Sequence, residues 1–182
     1  MGFDDIIKAE SDVMKNIILI GMPGAGKSTV GVLLAKTLLA DFTDTDLLIQ
    51  KETKKALCDI INEKGTEYFI RLEEEVILKQ SFINSVIATG GSAVYGEKAM
   101  KSLSENGIIV YLKVSLPELI KRLGDITTRG IAMDKDTGIP DLFAERSPLY
   151  EKYADFTIDC TDKTPEECVG IIAEKLKEEI YD

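Results

Sequence analysis

The run Gly21-Met-Pro-Gly-Ala-Gly-Lys-Ser-Thr29 fits G-x-x-x-x-G-K-[ST] at every position. Gly21, Gly24 and Gly26 let the backbone curl so that several N–H groups face one concavity, which suits an anion. An apolar run, Asn16 to Ile20, precedes the loop, and a helical pattern, Val30 to Leu39, follows it. The loop therefore ends at a helix N-terminus, where unpaired donors and the helix dipole favour phosphate. Lys27 adds a cation for the β- and γ-phosphates, and the Ser28 hydroxyl, beside Thr29, suits the magnesium ion of a bound triphosphate.

Two carboxylates follow one strand later, Asp44 and Asp46 in Asp41-Phe-Thr-Asp-Thr-Asp46. Beside a phosphate loop, one can hold magnesium through water and the other can accept a proton from an attacking hydroxyl. Alternation along an extended segment puts both on the same side. Thr89-Gly90-Gly91 ends another apolar run with no carboxylate, so backbone and ligand can approach closely there. Arg122 lies near a helix end, Arg129 in a glycine-rich stretch, and Arg146 in Glu145-Arg-Ser-Pro-Leu-Tyr150. Arginines on a mobile loop can close over phosphates and exclude water.

Alternating strands and helices must position these groups. Strands are expected at Asn16–Ile20, ending near Thr43, at Ser85–Thr89, Gly107–Leu112 and Phe156–Asp159. Helices are expected at Leu47–Lys55, Leu57–Lys64, Glu67 to about Gln80, Lys98–Glu105, Glu118–Leu123 behind Pro117, and Leu142–Tyr153 despite Pro148. Phe69, Leu72, Val76 and Ile77 share one face of the third of these. Thr164 caps a final helix, with Pro165 at its first position, that runs to about Ile180. Residues 124–140, with Gly124, Gly130, Gly138 and Pro140, read as a mobile loop. The apolar strands imply a parallel α/β sheet covered by helices on both faces, in a single domain over 1–182.

Composition narrows the chemistry. A formal charge of −10 argues against nucleic acid or an anionic membrane as partner. There is no histidine, which excludes a histidine base and a histidine-ligated metal. Cys58, Cys160 and Cys168 lack metal-ligand spacing and suit a reducing cytoplasm. No run is long enough for a membrane span, and the acidic first fifteen residues read as an amphipathic lead-in rather than a signal peptide.

Gly21 to Thr29, Asp44-Thr-Asp46, Gly65 through Phe69 to Glu73, Thr89-Gly-Gly91, Arg129 and Arg146-Ser-Pro-Leu-Tyr150 occur in the order and approximate spacing of shikimate kinase. The resemblance covers about residues 15 to 178. It implies a three-layer α/β/α phosphate-loop NTPase fold, with five parallel strands in the order 2-3-1-4-5. An acceptor-binding segment would span about 45–80 and a lid about 124–140. The implied reaction is transfer of the ATP γ-phosphoryl group to the 3-hydroxyl of shikimate, by a cytoplasmic monomer. By the same resemblance, Lys27 and Ser28 serve phosphate and magnesium, and Asp44 stands near the metal. Asp46 holds and deprotonates the acceptor hydroxyl beside Gly90 and Gly91, Arg129 meets the phosphates, Arg146 clamps the acceptor carboxylate, and Arg122 flanks adenine.

The chain also departs from that family pattern. An arginine that binds the acid's carboxylate follows the phenylalanine in the family, whereas the pair here is Phe69-Ile70. Arg71 comes next, but one residue along a helix turns a side chain by about 100°. Ser92 replaces a third glycine, and Arg129-Gly-Ile-Ala replaces Arg-Pro-Leu-Leu in the lid. These departures keep open an alternative acceptor, another polyol or hydroxy acid, while the phosphate loop is intact.

Overall fold

A computed structural model describes residues 15–124, 131–133 and 137–181. Five strands form one parallel sheet: β1 (Asn16–Ile20), β2 (Asp41–Asp44), β3 (Ser85–Ala88), β4 (Gly107–Lys113) and β5 (Phe156–Asp159). Their order is β2-β3-β1-β4-β5, as the resemblance to shikimate kinase implied. Every residue of β1 is buried. A central parallel strand can be buried on both faces only under helices on both, so its apolar run does not alternate. The edge strands β2 and β5 instead expose Asp41 and Asp159, charges that discourage pairing with another chain.

The helices are α1 (Lys27–Leu38), α2 (Thr45–Thr53), α3 (Leu57–Lys64), α4 (Thr66–Leu78), α5 (Glu97–Glu105), α6 (Leu116–Leu123), α7 (Ile139–Tyr153) and α8 (Pro165–Tyr181). None of them, among the described residues, is long and apolar enough to cross a membrane. The start of α8 follows its sequence signature. The Thr164 N–H donates to Glu167 Oε2 at 2.7 Å, and the Glu167 N–H donates to Thr164 Oγ1 at 3.2 Å, a reciprocal cap.

Three expectations are corrected. Asp44 and Asp46 do not lie on one extended segment. Asp44 ends β2 and caps α2, its Oδ1 accepting the Asp46 N–H at 3.0 Å, so Asp46 already sits in the first helical turn. Capping wins because the first turn of a helix has donors with no internal acceptor. Next, α1 begins at Lys27 rather than Val30, because the left-handed Gly26 (φ 95°) closes the loop directly onto the helix. Finally, the loop expected over 124–140 ends at Gly138. Ile139 is buried in the main core and Pro140 lies in the first turn of α7, where its missing N–H costs no bond. The amphipathic lead-in expected before Lys15 lies outside the described residues.

Two apolar cores result. The larger one surrounds the sheet. The smaller one, Ile49, Ile60, Phe69, Val76 and Ala132, joins α2, α3 and α4 to the loop before α7. It holds one wall of the crevice at the carboxyl ends of the strands. Ile49→Ala removes a fully buried side chain from it and should cost about 2–5 kcal/mol. Urea unfolding should show the lower midpoint, and hydrogen exchange should localise the loosening to α2–α4. A loss below about 1 kcal/mol would show that this small core does not hold the wall.

Candidate active site

The phosphate loop leaves β1 through Gly21, at φ 145°. A Cβ there would lie 2.7 Å from the Leu112 carbonyl oxygen of β4, so only glycine passes. Gly24 (φ 82°) and Gly26 (φ 95°) complete the curl. Lys27 opens α1 and is buried, its Nζ donating to the carbonyls of Gly21 at 2.7 Å and Met22 at 2.9 Å. Burial lowers its pKa to about 8, against the opposing pull of Asp46. Ser28 and Thr29 are exposed. The Ser28 hydroxyl donates to Asp44 Oδ2 at 2.6 Å.

Asp46 reaches the cavity from α2. Thr45, which is fully buried, accepts the Gly90 N–H at 3.0 Å and pins the start of α2 to the end of β3. Burial, and then the Asp44 charge, raise the Asp46 carboxyl to about 6, while Lys27 opposes the shift. A Cβ on Gly90 would lie 2.8 Å from Asp46 Oδ1 and 2.2 Å from Glu73 Oε1. Two acid side chains therefore occupy the space that a larger residue would take. At Gly91 a Cβ would meet Pro23 Cδ at 2.8 Å and Arg146 Nη1 at 3.2 Å.

Arg146, on α7, is buried. Its Nη2 donates to the Ala132 carbonyl and its Nε to the Tyr95 hydroxyl at 3.2 Å, which in turn donates to Glu145 Oε1 at 2.6 Å. The remaining arm, Nη1, lies over Gly91. Tyr150, four residues on, donates to the Gly91 carbonyl at 2.6 Å and stacks on Tyr111. Burial raises the Tyr150 hydroxyl, which keeps its proton available for that bond.

Gly24, Gly26, Lys27, Ser28, Thr29, Asp46, Gly90, Gly91 and Arg146 thus line one cavity of about 360 Å³. Asp44 touches it through Ser28. Arg122 stands apart at the end of α6, held by Glu118 Oε1 at 2.8 Å and the Cys160 carbonyl at 3.2 Å. Arg129 lies outside the described residues. Ile70 does not line the cavity, and Arg71 faces solvent with its Nη1 3.9 Å from Glu67 Oε2. Among the described residues, Arg146 is the one arginine that lines it. Sequence reading gave no role to Glu73, which is buried beside Asp46. The signal was present: an acid on the apolar face that carries Phe69, Val76 and Ile77.

The donor set also fits a nucleotide's magnesium. No group of three or more acidic, cysteine or histidine side chains gathers for a metal among the described residues. Mg²⁺, however, takes oxygen ligands and binds through one or two carboxylates together with substrate phosphates. The Ser28 hydroxyl and the Asp44 carboxylate, in contact at the mouth of the phosphate loop, are such donors.

A family model for shikimate kinase matches residues 23–177. A shikimate kinase of Thermodesulfovibrio yellowstonii is 41% identical over 169 residues, 91% of this chain and 95% of that one. Another, from Caldanaerobacter subterraneus subsp. tengcongensis, is 40% identical over 157 residues, 85% and 91% of the two chains. Among solved structures, shikimate kinase from Acinetobacter baumannii in complex with shikimate superposes with a TM-score of 0.86 at 27% identity, covering 98% of each chain.

The crowding at Gly90 is directly testable. Gly90→Ala forces both Asp46 and Glu73 to move. Displacing a reacting group by about 1 Å can cost about 10²-fold, so turnover should fall by that order while nucleotide affinity stays within about twofold. Steady-state kinetics and nucleotide titration give the two numbers. An equal loss of both would place Gly90 in the phosphate site instead.

Proposed function

This chain belongs to the shikimate kinase family, and we propose that it transfers the γ-phosphoryl group of ATP to the 3-hydroxyl of shikimate with Mg²⁺. It is a phosphotransferase with an alcohol acceptor. The observation that carries the finer reading is the meeting of Asp46, Lys27 and Arg146 in one cavity. They supply a base, a phosphate cation and an anchor for an anionic acceptor.

In this reading the triphosphate lies along Gly24, Gly26 and the first turn of α1, and Lys27 exchanges its two carbonyl contacts for phosphate oxygens. Ser28 and Asp44 would hold the magnesium ion, which would supply charge neutralisation at the phosphates. Gly90 and Gly91 leave room for the acceptor ring. Arg146 Nη1 binds its carboxylate, and Asp46 accepts a hydrogen bond from the hydroxyl to be phosphorylated. As that oxygen attacks the γ-phosphorus, its proton passes to Asp46 and the bond to the bridging oxygen of ADP breaks. Lys27 stabilises the charge on the transferring group, and Arg129 joins it from the lid. Arg122 flanks the adenine. One domain, a monomer working in the cytoplasm, completes the reading. The three free thiols support the cytoplasmic part of it.

The outward turn of Arg71 favours a second reading, an acceptor that needs fewer cations. One charge-assisted hydrogen bond is worth about 1.5–3 kcal/mol, roughly ten- to hundred-fold in affinity. A panel of hydroxy acids, polyols and sugars, followed by ADP release, separates the two. Shikimate as clear best acceptor supports the first reading; a neutral polyol as best acceptor replaces it.

Asp46→Asn should lower turnover about 10²–10⁴-fold, the usual contribution of a general base, with ATP binding nearly intact. Comparable loss of ATP binding would remove Asp46 from the role of base. The pH profile carries a sign. The base works ionised, so turnover should fall by about tenfold per unit as pH drops below the Asp46 value of about 6. A flat acid limb down to pH 4.5 contradicts the assignment.

A further inference from the structure

Glu73 has no part in the mechanism above, yet it is among the most completely buried charged side chains described, at 1% exposure. One carboxyl oxygen, Oε2, accepts the Ser92 hydroxyl. The other, Oε1, is buried without a hydrogen-bond partner. It lies 2.2 Å from where a Cβ on Gly90 would sit, and Asp46 Oδ1 lies 2.8 Å from the same point. Ser92 and Arg146 both line the cavity that Glu73 backs. A buried carboxylate with an unpaired oxygen and a second acid close by is relieved by taking a proton. While it is ionised, it also offsets the positive field of Arg146 that would attract an anion.

We propose that Glu73 is a positioning residue whose proton is linked to acceptor binding: the site takes up one proton at Glu73 when an acceptor carboxylate docks at Arg146. The proton comes from solvent and no covalent bond is made or broken. This linkage rests on the acceptor reading given above.

The surroundings of Glu73 agree. Burial, and then the charge of Asp46 on α2, push its carboxyl up to about 7, against Ser92, Arg146 on α7 and Lys27 on α1. The helices α3 and α5, also packed on α4, supply none of these principal influences. The free site therefore changes charge near neutral pH, and an arriving anion drives the proton onto Glu73. Affinity for a carboxylate acceptor is full below about pH 7 and falls above it. The limit is one proton, so Kd rises by up to about tenfold per pH unit.

Calorimetric titration of the whole protein with shikimate, in buffers of different ionisation heat between pH 6 and 8.5, reads the proton directly. Uptake approaching one proton is expected above pH 7, with Kd rising alongside. Glu73→Gln should abolish the uptake and flatten Kd against pH. Ser92→Ala removes the donor that favours ionised Glu73, so uptake should move to higher pH; this variant keeps the test decisive if Glu73→Gln does not fold. Shikimate methyl ester should bind without uptake. Shikimate binding with no uptake in the unaltered protein, or unchanged uptake in Glu73→Gln, overturns the linkage. No shikimate binding at any pH, with ATP still bound, overturns the acceptor reading and the linkage with it.

Discussion

Mutual compensation of buried charge behind the phosphate loop is the interaction on which this site depends. Lys27 and Arg146 are buried cations, Glu73 is a buried acid, and Asp46 is held between them at the edge of the cavity. Each would be costly alone in that setting, and removing one partner of such a set typically costs about 3–5 kcal/mol. Together they leave two acids shifted toward neutrality and one lysine shifted below its ordinary value. Groups shifted in this way exchange protons near physiological pH, which suits them to handle a hydroxyl proton.

The sheet makes the gathering possible. In a parallel α/β sheet the strands deliver their following loops to one edge, and the crevice opens where the chain order reverses. Here β1 lies between β3 and β4, and the phosphate loop leaves β1 at that point. The ends of β2 and β3 lie beside it and bring Asp44, Asp46 and Gly90 to the same edge. The Thr45 to Gly90 hydrogen bond fixes their spacing. The small core under α2, α3 and α4 then carries Glu73 to the back of the same cavity.

Much of this was legible in the residues. The apolar runs placed β1, β3 and β4 to within a residue, because buried parallel strands leave an uninterrupted signature, whereas the partly exposed edge strands β2 and β5 carry no such run. The phosphate loop was legible because its glycines and lysine serve one geometry. The relation of Asp44 to Asp46 was misjudged, because strand alternation and helix capping compete at a strand end and the side-chain cap prevailed. Glu73 was overlooked for a different reason. A charge on an apolar helix face usually reaches solvent, and its burial beside Gly90 depends on contacts between segments far apart in sequence. The importance of Ser92 follows from the same long-range contact.

The departure at Ile70 acquires a physical meaning in this setting. Among the described residues, the cavity has a single arginine, Arg146, and two of its arms are already engaged by Ala132 and Tyr95. In the proposed reading, recognition of an acid rests on Nη1 above Gly91, with the charge state of Glu73 tuning it. The most direct test is a crystal structure of this protein with ADP and shikimate bound. The shikimate carboxylate should contact Arg146 Nη1, with its 3-hydroxyl within hydrogen-bond distance of Asp46. A carboxylate bound elsewhere, or a 3-hydroxyl turned away from Asp46, would contradict the account.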